Sequence, residues 1–177
     1  MHLYLFAPEN DMALAFGGKY YTPTPVAQTI ARDLSLLPIW YAQSPQTHVW
    51  TQQKVEPDVQ NILDNRGITA KAVNKPQPDT DECHPWGWSA YIVDKFTRNG
   101  IARDILPDDK AIEQIRKLSG RASSCTIMQQ LRHLLPHIQL PPQPVVLHND
   151  TEVDEYVTSQ PSTILKAPWS SSGRGVW

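Results

Sequence analysis

The sequence lacks the features that define several broad protein classes. Only two of its 177 residues are cysteines, too few for a disulfide framework. No apolar run approaches the roughly 20 residues that span a bilayer, and the first apolar stretch, Leu3 to Ala7, is too short for a signal peptide. Basic and acidic residues nearly balance, at 16 and 18, which excludes a basic footprint for nucleic acid or membrane surfaces. We therefore expect a cytoplasmic protein without nucleic-acid or membrane partners.

Glycine is also scarce, with 8 residues, whereas proline is abundant, with 16. Scarce glycines indicate places where the backbone needs them. Three of them, Gly67, Gly100 and Gly120, each follow a helix-like run, as C-terminal caps do. The others fall in three loops, which become the candidate functional segments: Gly17-Gly18, Gly87, and Gly173 with Gly175.

Apolar periodicity in the first part of the chain alternates between strands and helices. It predicts strands at residues 2–7, 39–42 and 68–73, helices at 24–37 and 58–66, and a long loop over 8–22. Thr24 is predicted to cap the first helix, with Pro25 at its first position. This order favours an α/β fold in which a parallel sheet carries helices on both faces, as in a Rossmann-like three-layer domain.

Helices dominate the following part of the chain, up to a proline-rich stretch. One helix is predicted to be capped by Ser89, a second to start at Asp108 or Asp109, and a third to be capped by Ser123 or Ser124. Residues 136–144 contain four prolines and predict a linker. Beyond it we expect strands at 145–147 and 163–166, on either side of a helix that Asn149 and Glu152 open as a capping box.

The strongest chemical signal is the segment Lys166–Val176, with the sequence KAPWSSSGRGV. A predicted strand ends in a lysine, and a loop of small residues follows. Phosphates bind backbone N–H groups at close range, with a cation nearby, and Lys166 and Arg174 supply positive charge. The competing interpretation is a hairpin loop that is rich in glycine only because it turns.

This segment resembles the glycine-rich loop of the ATP-grasp superfamily, in which a strand lysine precedes a mobile flap between two antiparallel strands. The resemblance implies that Lys166 contacts the α- and β-phosphates of ATP. It also implies a flap formed by Ser170, Ser171, Ser172, Gly173 and Gly175. Arg174 lies within this flap and is a further candidate phosphate contact. Many relatives have an Asp-Lys pair where this chain has Gly120-Arg121, so Arg121 is a further candidate contact; alternatively it is a solvated arginine past a helix end.

The same resemblance implies a domain order and an activity. It predicts a Rossmann-like pre-ATP-grasp domain at 1–105, linker helices at 106–143, and a partial α+β ATP-grasp small lobe at 144–177. The activity would be that of an ATP-dependent ligase that joins a carboxylate to an amine or thiol, with ATP and Mg²⁺ as cofactors and a small-molecule acceptor.

The family's adenine-binding and magnesium-binding residues lie beyond its glycine-rich loop, whereas this sequence ends two residues past Gly175. We therefore expect a piece of such a ligase, inactive alone and without bound cofactor. The alternative is a non-catalytic small-molecule-binding or assembly module. Exposed strand edges would then favour a homo-oligomer.

Two further segments are candidate substrate contacts. Ligands of parallel sheets bind at the carboxyl ends of the strands, which favours Asn10, Asp11 and Lys19 in the loop after the first strand. Trp86 and Trp88 flank Gly87 and could line a pocket. The alternatives are loop hydrogen bonds for the first group and packing against the next helix for the tryptophans. No histidine or cysteine spacing indicates a metal site, so none is predicted.

Overall fold

The computed structural model describes residues 1–42, 44–169 and 175–177. The chain divides into two compact units, Met1–Arg116 and Lys117–Trp177. The predicted division into three parts, with boundaries near residues 105 and 143, stays a prediction. None of the helices in the described part of the chain combines the length and apolar character needed to cross a bilayer.

The first unit contains a four-stranded sheet whose described strands are all parallel, which confirms the predicted α/β class. Its strands are β1 (His2–Leu5), β2 (Thr47–Trp50), β3 (Lys71–Val73) and β4 (Glu82–Pro85). The spatial order is β3-β2-β1-β4, so β1 lies between β2 and β4. Leu3 is aligned with His48 of β2 and with Cys83 of β4.

Two apolar clusters cover the two faces of this sheet. Leu3 and Leu5 are fully buried with Ile92 and Phe96 in one cluster. Val49 of β2 belongs to the other cluster, together with Leu63. Tyr4, which lies between Leu3 and Leu5 on β1, packs against that second cluster. Because side chains alternate along a strand, these clusters lie on opposite faces, as expected for a sheet between two layers.

Five α-helices begin in the described part of the first unit. They are α1 (Asn10–Phe16), α2 (Pro25–Asp33), α3 (Pro57–Asn65), α4 (Ala90–Arg98) and α5 (Asp109–Ser119). The caps predicted for two of them are confirmed. The Thr24 side chain accepts a hydrogen bond from the Ala27 N–H, and the Ser89 side chain accepts one from the Ile92 N–H. Each cap satisfies an N–H that the helix leaves without a partner.

The loop predicted over 8–22 is wrong in part, because it contains α1. Buried Asn10, Ala13 and Leu14 recur at helical spacing on that helix. Gly17 ends α1 in the left-handed region, at φ +79°, where its N–H bonds to the Ala13 carbonyl. Arg116 of α5 then donates from Nε to the Leu14 carbonyl at 2.8 Å, which fixes the end of α1.

The strand predicted at 39–42 is also wrong, since Leu37–Trp40 forms a 3₁₀ helix. The buried residues Ile39 and Ala42 are three apart, a helical spacing and not an alternating one. The second strand instead lies at Thr47–Trp50. The strand β4 was not predicted at all, because its segment is polar and rich in proline.

The second unit contains α6 (Ser123–Leu134) and α7 (Asp150–Ser159). The capping box is confirmed, since Asn149 Oδ1 accepts from the Glu152 N–H and Glu152 Oε2 accepts from the His148 N–H. The predicted serine cap of α6 is wrong: Ala122 is at the cap position, and the Ser123 hydroxyl bonds to the Gly120 carbonyl. Residues 145–147, all described, form no strand.

Candidate functional site

The carboxyl edge of β1 and β4 brings two chain segments into close contact. Glu9 and Asn10 follow β1 and are both buried, at 3% and 4% exposure. Gly87 follows β4 and lies against the Asn10 amide, where a Cβ atom would stand 2.9 Å from Asn10 Cγ. Only glycine leaves room for Asn10 here. The Trp86 N–H donates to the Leu5 carbonyl at 2.8 Å, which holds the two segments together.

An ion pair organises this edge. Lys95 of α4 places its ammonium 3.3 Å from Glu9 Oε1. Desolvation lowers the pKa of Lys95, and the Glu9 carboxylate opposes that shift. The other carboxylate oxygen, Glu9 Oε2, and the amide oxygen Asn10 Oδ1 are buried without a hydrogen-bond partner among the described residues. Buried acceptors are normally paired, so these two atoms suit a ligand that donates hydrogen bonds.

Two tyrosines complete the cluster. The Lys95 ammonium lies 5.5 Å from the Tyr91 ring centre, and the rings of Tyr21 and Tyr91 meet edge to face at 5.6 Å. Burial, reinforced by the charge on Glu9, raises the pKa of Tyr91 to about 12 and raises the pKa of Tyr21 as well. Both phenols therefore remain protonated at neutral pH. We call Glu9, Asn10, Tyr21, Tyr91 and Lys95 the edge cluster.

Of the five candidate substrate residues, only Asn10 belongs to the edge cluster. Asp11 and Lys19 are exposed, with the Lys19 ammonium 5.1 Å from the Tyr20 ring centre. Trp86 is 56% exposed and meets Phe6 edge to face. Trp88 packs against Phe96 of α4, the contact that the alternative interpretation anticipates.

Glu9, Lys95, Tyr21 and Tyr91 were not among the predicted site residues. One local signal pointed to Glu9, a carboxylate that directly follows the apolar run of β1 and Pro8. Another was the spacing of Tyr91 and Lys95, which are four residues apart on α4 and share a face of that helix. No local pattern connects Glu9 with Lys95, which lie 86 residues apart.

A second candidate site lies in the other unit, at Lys166. This residue forms an antiparallel bridge with Val176, and Leu165 and Trp177 exchange two backbone hydrogen bonds of 3.0 Å. The predicted strand at 163–166 is thus present as a short pairing and not as a longer strand. Gly175 has a positive φ of 61°, and its carbonyl accepts from the Ala167 N–H at 2.8 Å.

Arg121 lies beside the chain that follows Lys166. Its guanidinium donates to the Ala167 carbonyl at 2.6 Å, and its backbone N–H donates to the Pro168 carbonyl at 3.2 Å. The alternative of a merely solvated arginine is therefore wrong, whereas a contact with ATP stays a prediction. The remaining candidates of the loop, Ser170, Ser171, Ser172, Gly173 and Arg174, lie outside the described residues.

One group of side chains in the described ranges has the composition and spacing of metal ligands, namely His2, Glu82 and His84. It contains two imidazoles and one carboxylate, whereas Mg²⁺ prefers an all-oxygen environment. No other group of three or more histidine, cysteine, aspartate or glutamate side chains with ligand atoms this close together is found in the described part of the chain. These residues therefore do not fit the magnesium that the ATP-grasp resemblance implies.

Comparisons with protein-family models, with curated proteins and with solved structures found no match to this chain.

Proposed function

We propose that this chain is part of an ATP-dependent ligase of the ATP-grasp type, which joins a carboxylate to an amine. The observation that carries the proposal is the antiparallel pairing of Lys166 with Val176. This pairing joins Lys166, at the end of a short extended segment, to Val176, and the sequence between them is rich in serine and glycine. A loop of small residues beside one ammonium group suits the phosphates of a nucleotide.

In the proposed reaction, a carboxylate oxygen attacks the γ-phosphorus of ATP and ADP leaves. The acceptor amine then attacks the carbonyl carbon of the acyl phosphate, inorganic phosphate leaves, and the nitrogen loses a proton to give an amide. Phosphoryl transfer depends mainly on positioning and charge stabilisation. Lys166 would supply positive charge to the phosphates. Mg²⁺ would neutralise further charge when bound, and no described residue is assigned to it.

The edge cluster supports an acceptor of the amine class. Glu9 Oε2 and Asn10 Oδ1 can only accept hydrogen bonds, and both are buried without a partner among the described residues. An amino group offers the donors that these atoms require, and the Glu9 carboxylate favours a group with partial or full positive charge. An ionised carboxylate ligand would offer these two acceptor oxygens no hydrogen-bond donor.

Titration of the amide NMR spectrum of the chain with ATP and with tripolyphosphate tests the phosphate role. A stably bound nucleotide is not expected, but weak and reversible binding is: saturable shifts at the Lys166 and Gly175 amides, with a dissociation constant near the millimolar range, which corresponds to about −4 kcal/mol. Lys166→Ala should abolish saturation. Lys117→Ala removes an exposed lysine of the same unit and should leave the titration unchanged. Shifts that persist in Lys166→Ala would contradict the phosphate role.

A second titration, with n-butylamine, tests the acceptor role. Shifts are expected at Glu9, Asn10 and Tyr91, and Glu9→Gln should abolish them. Glu56→Gln is the matched control, because it makes the same change at an exposed glutamate of the same unit. The same shifts with sodium butyrate would contradict selection of an amine.

The two titrations also separate the ligase from the alternative function, a small-molecule-binding module without catalysis. That alternative is favoured by one observation, which is that the edge cluster lies wholly within the unit Met1–Arg116. Binding of butylamine without any binding of tripolyphosphate would support the module and contradict the ligase. Binding of both is the result expected for the ligase.

A further inference from the structure

A triangle of ligand atoms lies on the β1–β4 strand pair and contains no residue of either candidate site. His2 Nδ1 is 3.3 Å from His84 Nε2 and 3.3 Å from Glu82 Oε2, and the last two atoms are 3.2 Å apart. The strand register produces this arrangement. His2 is aligned with Glu82, and Tyr4 is aligned with His84. Since side chains alternate along a strand, all three ligands project from the same face of the sheet.

We propose that His2, Glu82 and His84 form a binding site for a Zn²⁺ ion. Ligand bonds of about 2.05 Å to three atoms at these separations give angles of about 105° between the ligands, close to a tetrahedron. A set of two imidazoles and one carboxylate is known for zinc sites that keep a fourth position for water or a substrate. The octahedral geometry of a comparable iron site would require angles nearer to about 90°.

The surroundings of the triangle agree with an accessible metal site. The side chains of His2 and His84 are each 37% exposed, and that of Glu82 is 59% exposed. An ion can therefore enter directly from solvent. The His84 ring stacks on the Tyr4 ring, with the centres 4.6 Å apart, which orients one ligand in advance. The neighbouring Asp81 carboxylate is paired with the Met1 ammonium and is not needed as a ligand.

The alternative is a metal-free cluster in which two neutral imidazoles, with their protons on His2 Nδ1 and His84 Nε2, both donate to Glu82 Oε2. In that arrangement the two ring nitrogens lie 3.3 Å apart with no bond between them. One divalent cation would instead be bound by all three atoms at once through their lone pairs. The two arrangements differ in whether those nitrogens carry protons, which the ring-nitrogen NMR signals of the histidines distinguish.

Zn²⁺ titration of the untagged chain, followed by calorimetry and by the ring-nitrogen NMR signals of the histidines, tests this site. We expect one ion per chain, with ligation through Nδ1 at His2 and through Nε2 at His84. His2→Gln, Glu82→Gln and His84→Gln should each weaken binding by about tenfold or more, since even loss of outer-shell support costs about 10–100-fold. These side chains are partly exposed, so folding of each variant is checked by its amide spectrum.

The double variant His133→Gln/His137→Gln is the matched control, because it removes two exposed histidines elsewhere in the chain. It should bind Zn²⁺ as the unaltered chain does. Competition from Cys83 is not expected, since that thiol is buried. The proposal is overturned if no saturable binding occurs, if the ion shifts other histidines instead, or if folded His2→Gln and His84→Gln variants retain the full affinity.

Discussion

Replacement of Lys95 by methionine isolates the ion pair that organises the edge cluster. The Lys95 ammonium lies 3.3 Å from Glu9 Oε1, and the Glu9 side chain is only 3% exposed. Methionine has a similar length and helix propensity but carries no charge. The Glu9 carboxylate would lose its counter-ion, and its other oxygen has no hydrogen-bond partner among the described residues.

The expected loss of stability follows from this geometry. At a separation of 3.3 Å, and with an effective dielectric constant of about 20, the attraction is about 5 kcal/mol. Burial of the ammonium offsets part of this, as the lowered pKa of Lys95 indicates. Loss of one partner from a buried pair typically costs about 3–5 kcal/mol. Because Lys95 is partly exposed, we expect a loss of about 3 kcal/mol, at the lower end of that range.

Native-state hydrogen exchange at the Leu5 and Phe96 amides measures this loss within the unit Met1–Arg116. The double variant Glu9→Gln/Lys95→Met removes both charges and should be more stable than Lys95→Met alone. Lys110→Met, at an exposed lysine of α5, should change the free energy of unfolding by less than about 0.5 kcal/mol. A loss below about 1 kcal/mol in Lys95→Met would refute the view that the pair is desolvated.

Three further predictions concern other parts of the chain. Gly87→Ala should displace the Asn10 amide, lower the free energy of unfolding by about 1–3 kcal/mol and abolish the butylamine shifts; an unchanged titration would contradict the described contact. Burial raises the pKa of Cys83 to about 12, so iodoacetamide at pH 9 should label Cys125 and leave Cys83 unmodified in the folded chain. In the folded state Cys83 keeps its proton at pH values above 9.0, where the unfolded thiol loses it. The free energy of unfolding should therefore fall as the pH rises from 9 to 12. Cys83→Ala should reduce that fall, as measured by denaturant unfolding. Asn149→Ala should destabilise α7 by about 1 kcal/mol through loss of its cap, seen as faster amide exchange in α7; equal exchange rates would show that the cap is unimportant.

Local features of the fold were predicted well because their causes are local. The caps at Thr24, Ser89 and Asn149 depend on a side chain and an N–H three residues later. The strand β4 was missed because it is a short edge strand in which Cys83 alone is buried. Its position is decided by pairing with β1, and a single segment carries little information about its partner.

The candidate sites follow the same division between local and long-range causes. Lys166 and Val176 are close in sequence, and the resemblance of that one segment to a glycine-rich loop between two antiparallel strands predicted their pairing. The pair Glu9–Lys95 spans 86 positions, and the pair His2–His84 spans 82. Both long-range pairs depend on the adjacency of β1 and β4. The predicted sheet contained no β4, so it could contain neither the Glu9–Lys95 pair of the edge cluster nor the triangle of His2, Glu82 and His84. Once the register aligns His2 with Glu82, side-chain alternation alone places the second histidine on the same face.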